Sequence, residues 1–113
     1  MELKKYQKNV IQDLSRYLEL LLEKQSAGVA YTALWNEKNV MVGLNGMPNY
    51  NDVLNGVPNV CFKVPTGGGK TFLACNSIKP IFDSMPNMRA KAVVWLVPSD
   101  AILSQTLSAL SSA

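Results

Sequence analysis

The chain has 113 residues, 48% of them hydrophobic, with a net charge of +3 and a pI near 9.0. That length holds one domain at most and a modest core, the apolar share is that of a folded soluble chain, and the mild basic balance permits nucleic acid without arguing for it. Histidine is absent, which excludes a Cys/His zinc site, a histidine general base and a Ser-His-Asp triad.

Leu3, Tyr6, Val10, Leu14, Tyr17 or Leu18, and Leu21 recur at steps of three and four. This predicts a long amphipathic helix over 3–25, with Lys5, Lys8, Asp13, Arg16 and Glu23 on its solvated side. Ser26-Ala27-Gly28 ends or kinks it, and Val29 to Trp35 gives a second, shorter helical pattern. Residues 36–59 are rich in Asn, Gly and Pro and read as a long irregular connection. Loops of that length in compact domains are usually functional or mobile.

Val60 to Val64 is a short β-prone run that stops at Pro65. Thr66, Gly67, Gly68, Gly69, Lys70 and Thr71 follow, and then the helical run Phe72-Leu73-Ala74. Strand, glycine loop, lysine-hydroxyl and helix are the order of a phosphate-binding P-loop. Glycines let the backbone take positive φ and turn several N–H groups toward one oxyanion. The helix starting at about Lys70 adds its positive end. Lys70 suits the β- and γ-phosphates, and the Thr71 hydroxyl suits Mg²⁺. The strict motif has glycine where Val64 stands. A glycine-rich turn with a solvated lysine is the plainer alternative, and it leaves unexplained why lysine and threonine directly follow the glycines.

The helix after the loop is expected to reach about Ser84 with an interruption at Pro80. Ala92 to Val97 (Ala-Val-Val-Trp-Leu-Val) reads as a parallel strand covered on both faces. Pro98-Ser99-Asp100 then stops the strand, and Asp100 is expected to cap a last helix over 101–111. Its apolar side would hold Ile102, Leu103, Thr106, Leu107 and Leu110. Strand-helix-strand-helix order implies a right-handed crossover and an α/β fold. Cys61 and Cys75 read as buried free thiols of a reducing cytoplasm, and neither a signal peptide nor a membrane span is visible.

Three features together resemble the DEAD/DEAH-box helicases of superfamily two, and especially the restriction (Res) subunit of type III restriction enzymes. They are Pro65-Thr66-Gly67-Gly68-Gly69-Lys70-Thr71, Pro98-Ser99-Asp100-Ala101-Ile102-Leu103-Ser104-Gln105, and Lys5-Tyr6-Gln7. The resemblance implies an incomplete RecA-like P-loop NTPase: a parallel sheet flanked by helices, preceded by the long N-terminal helix. Residues 1–35 would be N-terminal helices, 36–59 a loop, and 60–113 the P-loop and motif Ia units. It implies ATP and Mg²⁺ as cofactors, Gln7 as the reader of adenine, and Pro98, Ser99 and Gln105 as contacts to a nucleic-acid backbone.

No two acidic residues are adjacent anywhere in the chain. A motor of this kind needs such a pair to hold Mg²⁺ and activate water, so no catalytic residue is assigned. Arg16 and Arg89 match no arginine-finger position. The expectation is an N-terminal, ATP-binding part of a cytoplasmic DNA helicase or translocase that does not itself hydrolyse ATP. Double-stranded DNA would be the partner of the longer protein, a nuclease activity could accompany it, and the isolated chain would self-associate. A small P-loop kinase, or a non-catalytic nucleotide- or partner-binding module, are the alternatives.

Overall fold

The computed structural model describes residues 2–65, 69–96 and 99–112. Among the described residues four helices follow in chain order: α1 (Lys5–Lys24), α2 (Ala27–Glu37), α3 (Lys70–Asp83) and α4 (Asp100–Ser112). The chain divides into two compact units, one of Gln12–Lys63 and the other of Met1–Ile11 with Val64–Ala113.

In the unit 12–63, α1 closes at Gln25, a residue in left-handed conformation at φ 54°. Ser26 then caps α2, its hydroxyl accepting from Val29 N–H at 3.3 Å. The core is Tyr17 and Leu20 of α1 against Ala30 of α2, with Leu21, Tyr31 and Leu34 packed around them. Ala30 has no side chain beyond Cβ, which lets the α1 side chains reach it. Leu20→Ala would empty this core and cost roughly 2–5 kcal/mol. The buried Tyr17 hydroxyl donates to Ala27 O at 3.2 Å.

The segment after α2 is irregular, as its composition predicts, and tyrosines organise it. The Tyr31 hydroxyl donates to Pro48 O at 2.6 Å. The Tyr50 hydroxyl donates to Val57 O at 3.4 Å and accepts from Asn59 N–H at 3.1 Å. The Tyr50 ring in turn lies against Gly28, where an added Cβ would meet Cδ1 at 3.4 Å.

In the other unit α3 and α4 lie side by side. Leu73, Cys75 and Thr106 are buried there, and the Thr106 hydroxyl donates back to Ile102 O at 2.8 Å. Burial pushes the Cys75 thiol above its ordinary pKa.

Several sequence expectations need correction. The α/β class does not hold: among the described residues there is no sheet, and the one β-bridge is the isolated pair Val42 and Met47. Residues 60–64 and 92–96 lie outside any strand or helix, with Val94 84% and Leu96 88% exposed. A β-prone run becomes a strand only when another strand satisfies its backbone, and neither run has one here. Cys61 falls on such a segment and is exposed rather than buried. Pro80 does not interrupt α3, which runs on to Asp83. So close to the helix end, its missing N–H removes a single bond, and the last carbonyls are met by Ser84 N–H, at 3.1 Å from Pro80 O and 3.2 Å from Ile81 O. Ile102, Leu103 and Leu107 of α4 are exposed, so only part of its expected apolar side is covered.

Candidate nucleotide site

Gly69 turns the glycine loop into α3. It has φ +70° and ψ 44°, a left-handed conformation that a residue with a Cβ adopts only with strain. Lys70 opens the helix and is exposed, while Thr71, one residue on, is half-buried. The first turn of α3 holds no acidic side chain. The positive end of this helix therefore meets no carboxylate of its own first turn, which suits a phosphate. Thr66, Gly67 and Gly68 lie outside the described residues.

Gln7 arrives at the same place from the start of α1. It is a buried polar residue, 5% exposed, on the stripe that continues through Val10, Leu14, Tyr17 and Leu21. A Cβ added to Gly69 would stand 2.7 Å from Gln7 Nε2. The other end of the amide is held by Lys4, whose N–H donates to Oε1 at 2.8 Å. Lys4 directly precedes α1 and Gln7 is its third residue, so this bond is the return half of a capping box. Two motifs 62 residues apart, at Gln7 and Gly69, thus share one spot. Tyr6, the neighbour of Gln7, is partly exposed.

The second expected site is less gathered. Ser99, not Asp100, caps α4: its hydroxyl accepts from Ile102 N–H at 3.4 Å, and its carbonyl accepts from Leu103 N–H at 2.9 Å. Asp100 is instead the first residue of the helix and an acidic group in its first turn. This corrects the expectation of an aspartate cap; the serine one position earlier has the non-helical place a cap requires. Gln105 is exposed on the helix. At about 100° per residue it faces roughly 120° away from Ser99 and stands about 9 Å further along the axis. The structure does not bring these two together, and Pro98 lies outside the described residues.

The family described as type III restriction enzyme, res subunit, matches residues 1–113. The chain belongs to that family. No curated protein and no solved structure matches it. Lys4 is a partner of Gln7 that the motifs do not name. Its signal was the spacing from Lys4 to Gln7, a glutamine at the third helical position reaching back to the residue before the helix. Arg16, which matched no arginine-finger position, has a structural duty: its guanidinium binds Glu37 and Glu19. Among the described residues, no helix is long and apolar enough to cross a membrane.

Proposed function

We propose that this chain binds ATP with Mg²⁺ as part of a res-type DNA motor, and that it does not hydrolyse the nucleotide with its own residues. The observation that carries the reading is the meeting of Gln7 with Gly69. The residue resembling an adenine reader and Gly69, the last glycine of the loop resembling a phosphate cradle, are 62 positions apart in sequence and adjacent in space.

The residues present fit the ligand. Lys70 is exposed at the start of α3, free to extend to the β- and γ-phosphates as a charge-assisted donor. The N–H groups of the first turn face the same way, Thr71 offers a hydroxyl to Mg²⁺, and Gly69 with Thr66, Gly67 and Gly68 would wrap the phosphates. Magnesium supplies charge neutralisation between phosphate oxygens when bound. The Gln7 amide has one donor and one acceptor end, the pattern needed for the adenine edge, and its acceptor end would have to share or exchange the Lys4 N–H to take the base. No adjacent carboxylates occur in these 113 residues, so activation of water needs an acidic group from elsewhere.

Titration of fluorescent ATP with Mg²⁺ against wild type, Lys70→Ala and Thr71→Ala tests this. Loss of the Lys70 charge should weaken binding roughly 10- to 100-fold, the range of a hydrogen bond to a charged group. Thr71→Ala should reduce the Mg²⁺ dependence. Phosphate release should stay at background throughout. Equal binding by wild type and Lys70→Ala would sink the reading.

For nucleic acid, the start of α4 is the proposed contact, through the Ser99 hydroxyl proton and backbone N–H groups, with Pro98 and Gln105 beside it. Such contacts go to phosphate and carry no sequence information. Duplex DNA should therefore bind weakly, with a steep loss as salt rises, and Asp100→Asn should strengthen it. Binding indifferent to salt would contradict this.

A further inference from the structure

Residues 44–49 and 54–59 repeat one pattern, Leu-Asn-Gly-x-Pro-Asn, with Met47 and Val57 at the variable place. Both copies lie in the unit 12–63, and both Asn-Gly pairs are exposed. Their turns are set one position out of step. In the first copy Leu44 and Asn45 are the central pair, at φ 41° and 71°, and Gly46 N–H closes the turn on Gly43 O at 2.9 Å. A Cβ on Gly46 would run into the Met41 carbonyl, so the backbone there is both bonded and closely packed. In the second copy Asn55 and Gly56 are the central pair, Gly56 at φ +79°. The closing bond moves to Val57 N–H, 2.9 Å from Leu54 O. The third residue of a turn takes no part in that bond. Among the described residues nothing accepts from Gly56 N–H, and a Cβ on Gly56 would meet nothing within 4 Å.

We infer that Asn55 is a site of spontaneous modification, deamidation through attack by the Gly56 nitrogen, and that its isomerised product opens the loop that Tyr50 closes. Hydroxide takes the Gly56 N–H proton, and the nitrogen bonds to Asn55 Cγ. The Cγ–Nδ2 bond breaks, Nδ2 leaves as ammonia with the proton the base had removed, and a cyclic imide remains. Water then opens the ring. Opening at Cγ leaves an aspartate at position 55. Opening at the backbone carbonyl leaves an isoaspartate, whose chain runs on through Cβ and Cγ. A following glycine has no Cβ to obstruct the ring. The attacking nitrogen must give up its proton, so the bond to Gly43 O protects Gly46 and nothing comparable protects Gly56. The isomer matters because Tyr50 sets the length of chain that can close. Its hydroxyl donates to Val57 O at 3.4 Å and accepts from Asn59 N–H at 3.1 Å, and Asn59 Nδ2 donates to Asn51 O at 3.0 Å. An extra backbone carbon and a new carboxylate between Leu54 and Val57 break the turn and with it this closure. None of this depends on nucleotide binding.

The test ages wild type in mildly alkaline buffer, folded and in urea, and follows both asparagines by peptide mass spectrometry with chromatographic separation of isoaspartate. In the folded chain position 55 should convert about 2- to 10-fold faster than position 45, the worth of the one hydrogen bond held by Gly46 N–H. In urea the two rates should converge, because leucine precedes and glycine follows each asparagine. Asn55→Gln should stop conversion at position 55 and leave that at 45 unchanged. Hydrogen exchange at Val57 N–H and Asn59 N–H reads the loop. Both should exchange faster in aged wild type enriched in isoaspartate, and not in equally aged Asn55→Gln. No conversion at position 55, equal rates at the two positions in the folded chain, or a difference undiminished in urea would overturn the site. Unchanged exchange in the isoaspartate-bearing protein would overturn the opening of the loop.

Discussion

Arg16 and Glu37 form a two-pronged pair that ties α1 to the end of α2: Arg16 Nη2 donates to Glu37 Oε2 at 2.6 Å and Arg16 Nε donates to Oε1 at 2.9 Å. Lys38 and Asp13 repeat the tie nearby, Nζ to Oδ1 at 2.8 Å. The hydrogen bonds from Arg16 hold the Glu37 carboxyl below its ordinary pKa, and those to Glu37 and then Glu19 raise the guanidinium above its own.

A carboxyl depressed in the folded state adds stability that is present above its unfolded pKa and lost as pH falls through the folded value. Arg16→Gln should therefore melt below wild type at pH 7, and the gap should close in the acid range below pH 4.5, the ordinary value of Glu37. The pair is solvent-exposed, so the gap at pH 7 should be small and shrink further with added salt. Thermal melts over pH and salt check this; a gap constant down to the acid limit would assign the effect to lost packing of the arginine stem.

Tyr17 gives the opposite sign. Burial first, and then the charge of Tyr50, push its phenol from 10.0 up to about 12. A raised phenol favours the neutral form, so its contribution is intact below pH 10 and lost as pH rises through about 12. Alkaline titration by ultraviolet absorbance should show one of the four tyrosines ionising late, together with unfolding. Tyr17→Phe should remove that late step. It also leaves Ala27 O without its hydroxyl donor, at a cost of about 1–3 kcal/mol at neutral pH.

Gly69 and Gly56 separate backbone strain from collision. Both have positive φ, +70° and +79°, yet a Cβ at Gly56 would meet nothing within 4 Å, whereas one at Gly69 would strike Gln7. Gly56→Ala should cost only the left-handed strain, roughly 1–2 kcal/mol. Gly69→Ala should cost more, because Gln7 must also give up its place beside Lys4. Denaturant titrations measure both, and Gly69→Ala should in addition weaken ATP while Gly56→Ala leaves it unchanged. Equal costs would mean that the Gln7 side chain yields freely.

The helices were legible because their determinants are local: the three-four spacing of α1, Ser26 as a cap, and the glycines before Lys70. The burial of Gln7 was not. A glutamine carries no apolar signal, and only its register with Val10, Leu14, Tyr17 and Leu21 places it on the inner stripe. The β-prone runs misled for a different reason. Val60 to Val64 and Ala92 to Val97 have the right residues, but strand formation depends on a partner that no local pattern specifies. The cap of α4 turned on a single position, Ser99 against Asp100, where both residue types are good caps and only backbone geometry chooses.

The same β-prone runs lead to a prediction about association between copies. Residues 92–96 belong to no strand, and beside them a groove of about 400 Å³ is lined by Ile78, Ile81, Phe82, Val94 and Trp95. An exposed, β-prone, uncharged segment next to an apolar groove is a template for pairing with another chain. Light scattering across a concentration series should therefore show wild-type self-association. A charge on the segment opposes edge pairing, so Leu96→Lys should shift the protein toward monomer without lowering its melting temperature, because Leu96 is 88% exposed. Val60→Lys, on the other β-prone run, tests whether that run takes part as well. A monodisperse wild-type monomer at high concentration would refute the prediction, and an unchanged assembly in both variants would move it to a different surface.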